Sequence, residues 1–323
     1  MLTIKPITID YTTTSVDSNL SATAFYDKYG TYYASITPWT TGGVFTLGSL
    51  CSYNNKVYQS NFNGNNTGNN PITGNTNLTT GLKYWVELDS LNKFAIFDSV
   101  SNTQSKGLST DQSIYFAFAP PAVFTALAIG NLDADSVKIQ IVEPTETSNI
   151  LYEEEKLTVT RDFSSWYEWV TVPFNSANNI YFESIPAYSE KLLIVTIYRE
   201  DGAPKAGGIV LGRLYDIGKI QYGVSLPSQD FSVVTTDEFG NTKLVKRNVL
   251  SGIDGELVCD ARQANTIRDL NKALRGVCTA FIGVEGVDNY YFNSLFMMGV
   301  ATTFEPSIDY ATHFRVKLFV KEI

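Results

Sequence analysis

The sequence predicts a mainly β protein: a small aromatic β module, then a jelly-roll-like β-sandwich, then a C-terminal α+β region with one principal helix. Three observations carry that reading. Val137-Lys138-Ile139-Gln140-Ile141-Val142 alternates apolar and polar residues, the period of a strand with one buried face. Residues 166–172, 191–198 and 289–292 concentrate aromatic and β-branched side chains between turn signals, which predicts further strands. One segment follows a different period: between Asp260 and Val277, Ala264, Ile267, Leu270, Leu274 and Val277 recur every three or four residues.

Taken in order, residues 1–38 are rich in Thr and Ser with scattered apolar positions, and the expectation is an extended arm with no core of its own. Residues 39–90 form the aromatic module. It contains Tyr53-Asn54-Asn55-Lys56-Val57-Tyr58, a hairpin whose Asn-Asn turn suits asparagine's tolerance of positive φ. It also contains an Asn-, Gly- and Thr-rich tract over 61–77, expected to be a long exposed loop because it has few apolar residues to pack. Residues 91–210 carry regular strand signals, as a sandwich does. Residues 211–323 place strands on both sides of a helix expected near 260–277, capped at or beside Asp260, with Lys272 and Arg275 in its last turns and Gly276 as its stop. The Gly- and Ala-rich stretch 202–208 reads as a domain boundary or as a loop inside one larger sandwich.

Composition narrows the chemistry. The 323 residues are 44% hydrophobic and 18% charged, enough apolar material for a large core. Lys and Arg total 24 against 33 Asp and Glu, a net charge of -9. Such a chain is a poor nucleic-acid binder, since phosphate contacts need clustered cations. A single histidine, His313, excludes zinc sites built on several imidazoles and leaves a Ser-His-Asp triad one candidate base. It sits in an alternating run, 310–318, that reads as a C-terminal strand. Cys51, Cys259 and Cys278 are odd in number and widely spaced, the pattern of free buried thiols rather than a disulfide framework or metal site. The N-terminal run lacks the basic-then-apolar layout of a signal peptide, and no apolar stretch approaches membrane-span length. The expectation is a protein without Sec-type export and without a membrane span.

The aromatic module reads Trp39, Phe45-Thr46-Leu47-Gly48, the Tyr53 to Tyr58 hairpin, Pro71, and Tyr84-Trp85-Val86-Glu87-Leu88. It resembles the small chitin-binding type carbohydrate module (family 5/12-like) appended to many secreted glycosidases. It departs from that family in having Ser49 in place of an Asp, Phe45 in place of a Tyr, and a long Asn-rich loop before Trp85. The resemblance implies a sugar site at Trp39, Tyr53, Tyr58 and Trp85, where flat rings would stack on pyranose faces beside Asn side chains. The competing reading is that these rings are the packing of a module with little else for a core.

The module runs directly into Leu91-Asn92-Lys93-Phe94-Ala95-Ile96-Phe97-Asp98. Two later stretches, 126–137 and 236–242 with Lys246-Arg247 following, extend the same pattern. Together they resemble a family of tailed-bacteriophage tail or baseplate virion proteins, over most of 39–250. That resemblance implies a structural virion component made in the host cytoplasm. Its partners would be other tail or baseplate proteins, further copies of itself, and a cell-surface glycan. It brings no catalytic residue, cofactor or metal, so the expectation is a non-enzyme. An adhesion protein gripping a cell-surface polysaccharide is the alternative, and a polysaccharide-degrading enzyme is less favoured.

Glycoside hydrolysis needs two carboxylates at a set separation. Asp98, Asp111, Asp133, Asp135, Asp237 and Glu238 are the acids worth tracing, and turn caps or solvated side chains are what Asp in β loops usually provides. The Asp133-Ala134-Asp135 triplet lacks the Gly and downstream Glu of a calcium loop.

Overall fold

Alternation becomes strand where it was expected. Ser136–Glu143 and Leu192–Tyr198 pair antiparallel, with Val137 opposite Ile197 and Ile139 opposite Val195, so two period-2 patterns bury one common face. The computed structural model describes residues 1–323 except 11–13, 28–29, 78–79, 101–102, 161–164, 172–174, 237, 248 and 287–290. The chain is mostly β with one principal helix, the fold class its sequence predicts.

Two sheets dominate. The smaller runs Glu146–Leu157, Ser136–Glu143, Leu192–Tyr198, Ser113–Phe118 and Val16–Ser18 in spatial order. The larger is ten-stranded and runs Ile180–Phe182, Ala126–Gly130, Gly208–Asp216, Leu2–Pro6, Thr279–Ile282, Phe296–Ser307, His313–Glu322, Val249–Asp260 and Lys219–Ile220, with Ser228–Asp230 pairing the start of Val249–Asp260. Phe116, Phe118, Ile139 and Val195 of the small sheet share one core with Leu127, Ile129, Phe182 and Leu211 of the large one. That is a sandwich. Alternate residues of the large sheet, Ala126, Ala128 and Val210, pack on its other face with Ile4, Phe292 and Phe296. Burial on both faces explains why Ala126–Gly130 shows no polar alternation.

The arm expected over 1–38 is not peripheral. Leu2–Pro6 lies inside the ten-stranded sheet, hydrogen-bonded to Gly208–Asp216 on one side and Thr279–Ile282 on the other. Ile4 is wholly buried, and Leu20, Phe25 and Ile36 join the sandwich core. Five residues are too few for alternation to stand out from Thr-rich surroundings, which is why composition misleads here. Gly212 makes the close pairing possible, because a Cβ there would overlap the Lys5 carbonyl. Gly208–Asp216 also carries the sheet across the boundary weighed near 210, joining both halves by backbone hydrogen bonds.

The helix forms within the expected span. Asp260 accepts from the Arg262 amide at 2.8 Å and caps a 3-10 turn, Ala261–Gln263, that leads into Ala264–Ala273. Ile267, Leu270 and Leu274 press on Phe281, Phe304, Val316 and Leu318. Gly276 adopts φ +71 just beyond the end. No helix among the described residues is long and apolar enough to cross a membrane.

Two expected strands differ. Trp166–Thr171 is a short helix. Trp166, Tyr167 and Val170 are all exposed, so no sheet face claims alternate residues and local bonding prevails. Of 289–292, residues 289 and 290 lie outside the described residues, and Phe292 opens one helical turn, Phe292–Leu295, before the strand Phe296–Ser307.

Candidate functional site

The aromatic module is a three-stranded sheet of Leu50–Tyr53, Lys56–Ser60 and Trp85–Ser90. Asn54 and Asn55 close the first hairpin at φ 50 and 63, the positive values a two-residue turn requires. Register sets Tyr58 opposite Cys51 and Glu87, and Ser60 opposite Trp85. Lys56 holds Glu87 across the strands.

All four predicted sugar-site residues come together, and burial divides them. Trp85 and Tyr58 are 0% and 3% exposed and, with Phe45 and Cys51, form the core of the module. Phe45 meets Trp85 edge to face at 5.2 Å. Trp39 and Tyr53 are half-buried at its margin, 5.4 Å apart and 81° to one another. Stacking on a sugar requires an open ring face. Trp85 and Tyr58 offer none, and Trp39 and Tyr53 stand perpendicular rather than as a shared platform. Burial also pushes the Cys51 thiol up to about 12 and raises the Tyr58 hydroxyl, which suits packing groups.

The Asn-rich tract does more than loop through solvent. Asn66 is buried, bonds Ser60 Oγ and the Tyr84 carbonyl through Nδ2, and exchanges backbone hydrogen bonds with Phe45. Asn75 accepts from the Trp85 amide at 2.6 Å and donates to its carbonyl at 3.0 Å. The indole Nε1 donates to the Asn69 carbonyl at 2.8 Å. Asparagine amides thus stand in for a fourth strand along Trp85. The tract was expected to be exposed because composition counts apolar residues and takes no account of amides that mimic the backbone.

The carboxylates mostly serve structure. Asp133 meets Arg199 and Lys205; burial pushes its carboxyl up, and the two cations outweigh that and leave it below the ordinary value. Asp135 accepts from the Glu200 amide and Asp111 from the Leu108 amide. Asp98 accepts from the Val100 amide and the Thr103 hydroxyl, and burial pushes it up to about 6. Glu238 is exposed near a hairpin tip, and Asp237 lies outside the described residues. His313 stacks on Tyr310 at 4.4 Å. No cluster of metal-ligating side chains occurs among the described residues.

Sequence reasoning missed a cavity of about 370 Å³ on the large sheet, lined in part by Asn131, Asn178, Asn179, Asn293, Ser228 and Met298. Gly130 and Gly208 leave room for the Met298 side chain that fills its floor. Neutral amides and hydroxyls suit hydrogen bonding rather than proton transfer. Its thiol, Cys278, is pushed up to about 11 by burial and the nearby Asp98. The only signal in the sequence was the unassigned Asn178-Asn179 pair.

No family model matches the chain. No curated protein matches it. Among solved structures, the F5/8 type C domain of a Bacteroides fragilis protein is similar at 13% sequence identity and a TM-score of 0.25, covering 38% of this chain and 80% of that one. Agreement at that level carries no argument about this chain.

Proposed function

We propose that the chain is a non-enzymatic structural component of a bacteriophage tail or baseplate, built to dock against other proteins. The virion assignment rests on the sequence resemblance over 39–250. The docking role rests on one structural observation: Val233–Thr236 and Thr242–Val245 pair as a two-stranded ribbon with apolar side chains facing solvent, Val234 and Leu244 at 62% and 64% exposure and Phe239 between the strands at 90%. Exposed apolar surface of that kind marks an interaction site. Asp98, Asp111, Asp133 and Asp135 are committed to cations, a hydroxyl and backbone amides, which supports a scaffold over a hydrolase. The test is mass spectrometry of purified particles from a phage encoding this chain. Recovery at a fixed ratio to other tail proteins is expected, and absence from particles despite expression in infected cells would refute the role.

A second reading, glycan recognition by the module, rests on the ring surface that Trp39 and Tyr53 retain. A glycan array comparing wild type with Trp39→Ala tests it. Signal lost in the folded variant supports it, and no signal with wild type removes it.

A further inference from the structure

The ribbon has a physical problem that points to its partner. Ser228–Asp230 pairs the start of Val249–Asp260, and beyond that base Val233–Thr236 pairs only Thr242–Val245. A two-stranded hairpin is marginal alone in water. Val234 sits opposite Leu244 with both exposed, and Phe231 and Val245 are each 41% exposed. Both long edges of this outer section lack a strand partner among the described residues.

Charge selects what could cover it. The return strand and the residues after it carry Lys243, Lys246 and Arg247, with no acid from 241 to 252. Among the described residues the longest strand at a sheet edge is Glu146–Leu157, the outermost strand of the five-stranded sheet. It bears Glu146, Glu153, Glu154 and Glu155, of which Glu153 is paired with Lys138 and Glu154 with Lys156, and exposes Ile150 and Leu157 at 47% and 67%. The edge at the far side of that sheet, Val16–Ser18, is only three residues long. An open return strand with basic residues and an open acidic edge, each with exposed aliphatic residues, are complementary in backbone, charge and apolar content, the nearby acids Asp230, Asp237 and Glu238 all preceding the return strand in sequence.

Building on the docking role above, we propose that Thr242–Val245 of one copy adds as a strand to the outer edge of Glu146–Leu157 in a second copy. Backbone hydrogen bonds join the edges, Leu244 and Val234 cover aliphatic surface near Ile150 or Leu157, and Lys243, Lys246 and Arg247 face Glu146 and Glu155. A two-fold contact pairing one return strand with another would bring Lys243, Lys246 and Arg247 against themselves, so it is disfavoured. Because the two surfaces differ, the contact is head-to-tail and generates a ring or a filament.

The test is sedimentation velocity on the purified chain at high micromolar concentration in low salt. It compares wild type, K243E/K246E/R247E, E146K/E155K, and an equimolar mixture of the two variants. Wild type is expected to form species larger than a dimer that weaken as salt rises. Each variant alone should lose association at least tenfold, like charges now facing one another. The mixture should assemble again, since each variant offers the charge the other needs; this recovery also shows that both are folded. A monomeric wild type, a variant that assembles as wild type does, or a mixture that stays monomeric would each overturn the proposal. A monomeric wild type found in purified particles removes self-docking and leaves the structural role, whereas self-assembly without incorporation removes the virion role alone.

Discussion

Asp98 offers the sharpest check on the packing of the 91–98 segment. Leu91, Phe94, Ile96 and Phe97 are buried in the sandwich core, and they draw the neighbouring carboxyl out of water. Burial raises it from the ordinary 3.8 to about 6, against the opposing pull of the Val100 and Thr103 hydrogen bonds. A raised carboxyl means the folded chain holds the proton more tightly than the unfolded chain. Stability from this group is therefore full below the unfolded value and falls as pH climbs through the folded one. A rise from 3.8 to about 6 corresponds to about 3 kcal/mol, lost between about pH 4 and pH 7. Asp98→Asn removes the titration and retains an acceptor for the Val100 amide. In urea unfolding at pH 4, 5, 6 and 7, the variant should gain on wild type steadily, by up to about 3 kcal/mol across the window. A stability difference independent of pH would show that the folded carboxyl titrates normally and that the segment is not packed as described.

Three further outcomes follow from the packing. Trp85→Ala should destabilise the module by about 3–5 kcal/mol, since it empties a fully buried site and strips the Asn69 carbonyl of its indole partner; Trp39→Ala should cost far less, and equal losses in thermal unfolding would contradict the burial pattern. Asn92→Ala should cost about 2 kcal/mol or more, because its amide both accepts from and donates to the Lys106 backbone at 2.8 Å, and denaturant midpoints report it. Deleting residues 1–6 should leave an insoluble or largely unfolded chain, and a soluble product with native near-ultraviolet circular dichroism would restore the reading of that segment as an arm.

Much of the architecture was legible because it lives in local patterns. Residues 136–143 and 192–198 announce their buried face by alternation, Ala264 to Leu274 by helical spacing, and Asn54-Asn55 by turn chemistry. What was hidden depends on partners distant in sequence. Nothing within Leu2–Pro6 says that residues 208–216 and 279–282 will flank it, and nothing in Trp166–Thr171 says that no sheet will receive it. The aromatic module shows the same division. Its four rings were identifiable by type and spacing, but whether each faces solvent depends on where Asn66, Asn69 and Asn75 fold back. That is a long-range property of the amide-rich tract.

The placement of Leu2–Pro6 also dictates an order of events during synthesis. This strand is made before either of its neighbours, and the residues near Gly212 and Phe281 that flank it follow more than 200 residues later. At roughly 5–20 residues per second, that is a wait of about 15–60 s with an unpaired apolar strand. The sandwich can close its small sheet by residue 198, whereas the large sheet stays split until the C-terminal strands emerge. Closure of the large sheet therefore comes late, and the slow step is the insertion of Leu2–Pro6 between Gly208–Asp216 and Thr279–Ile282.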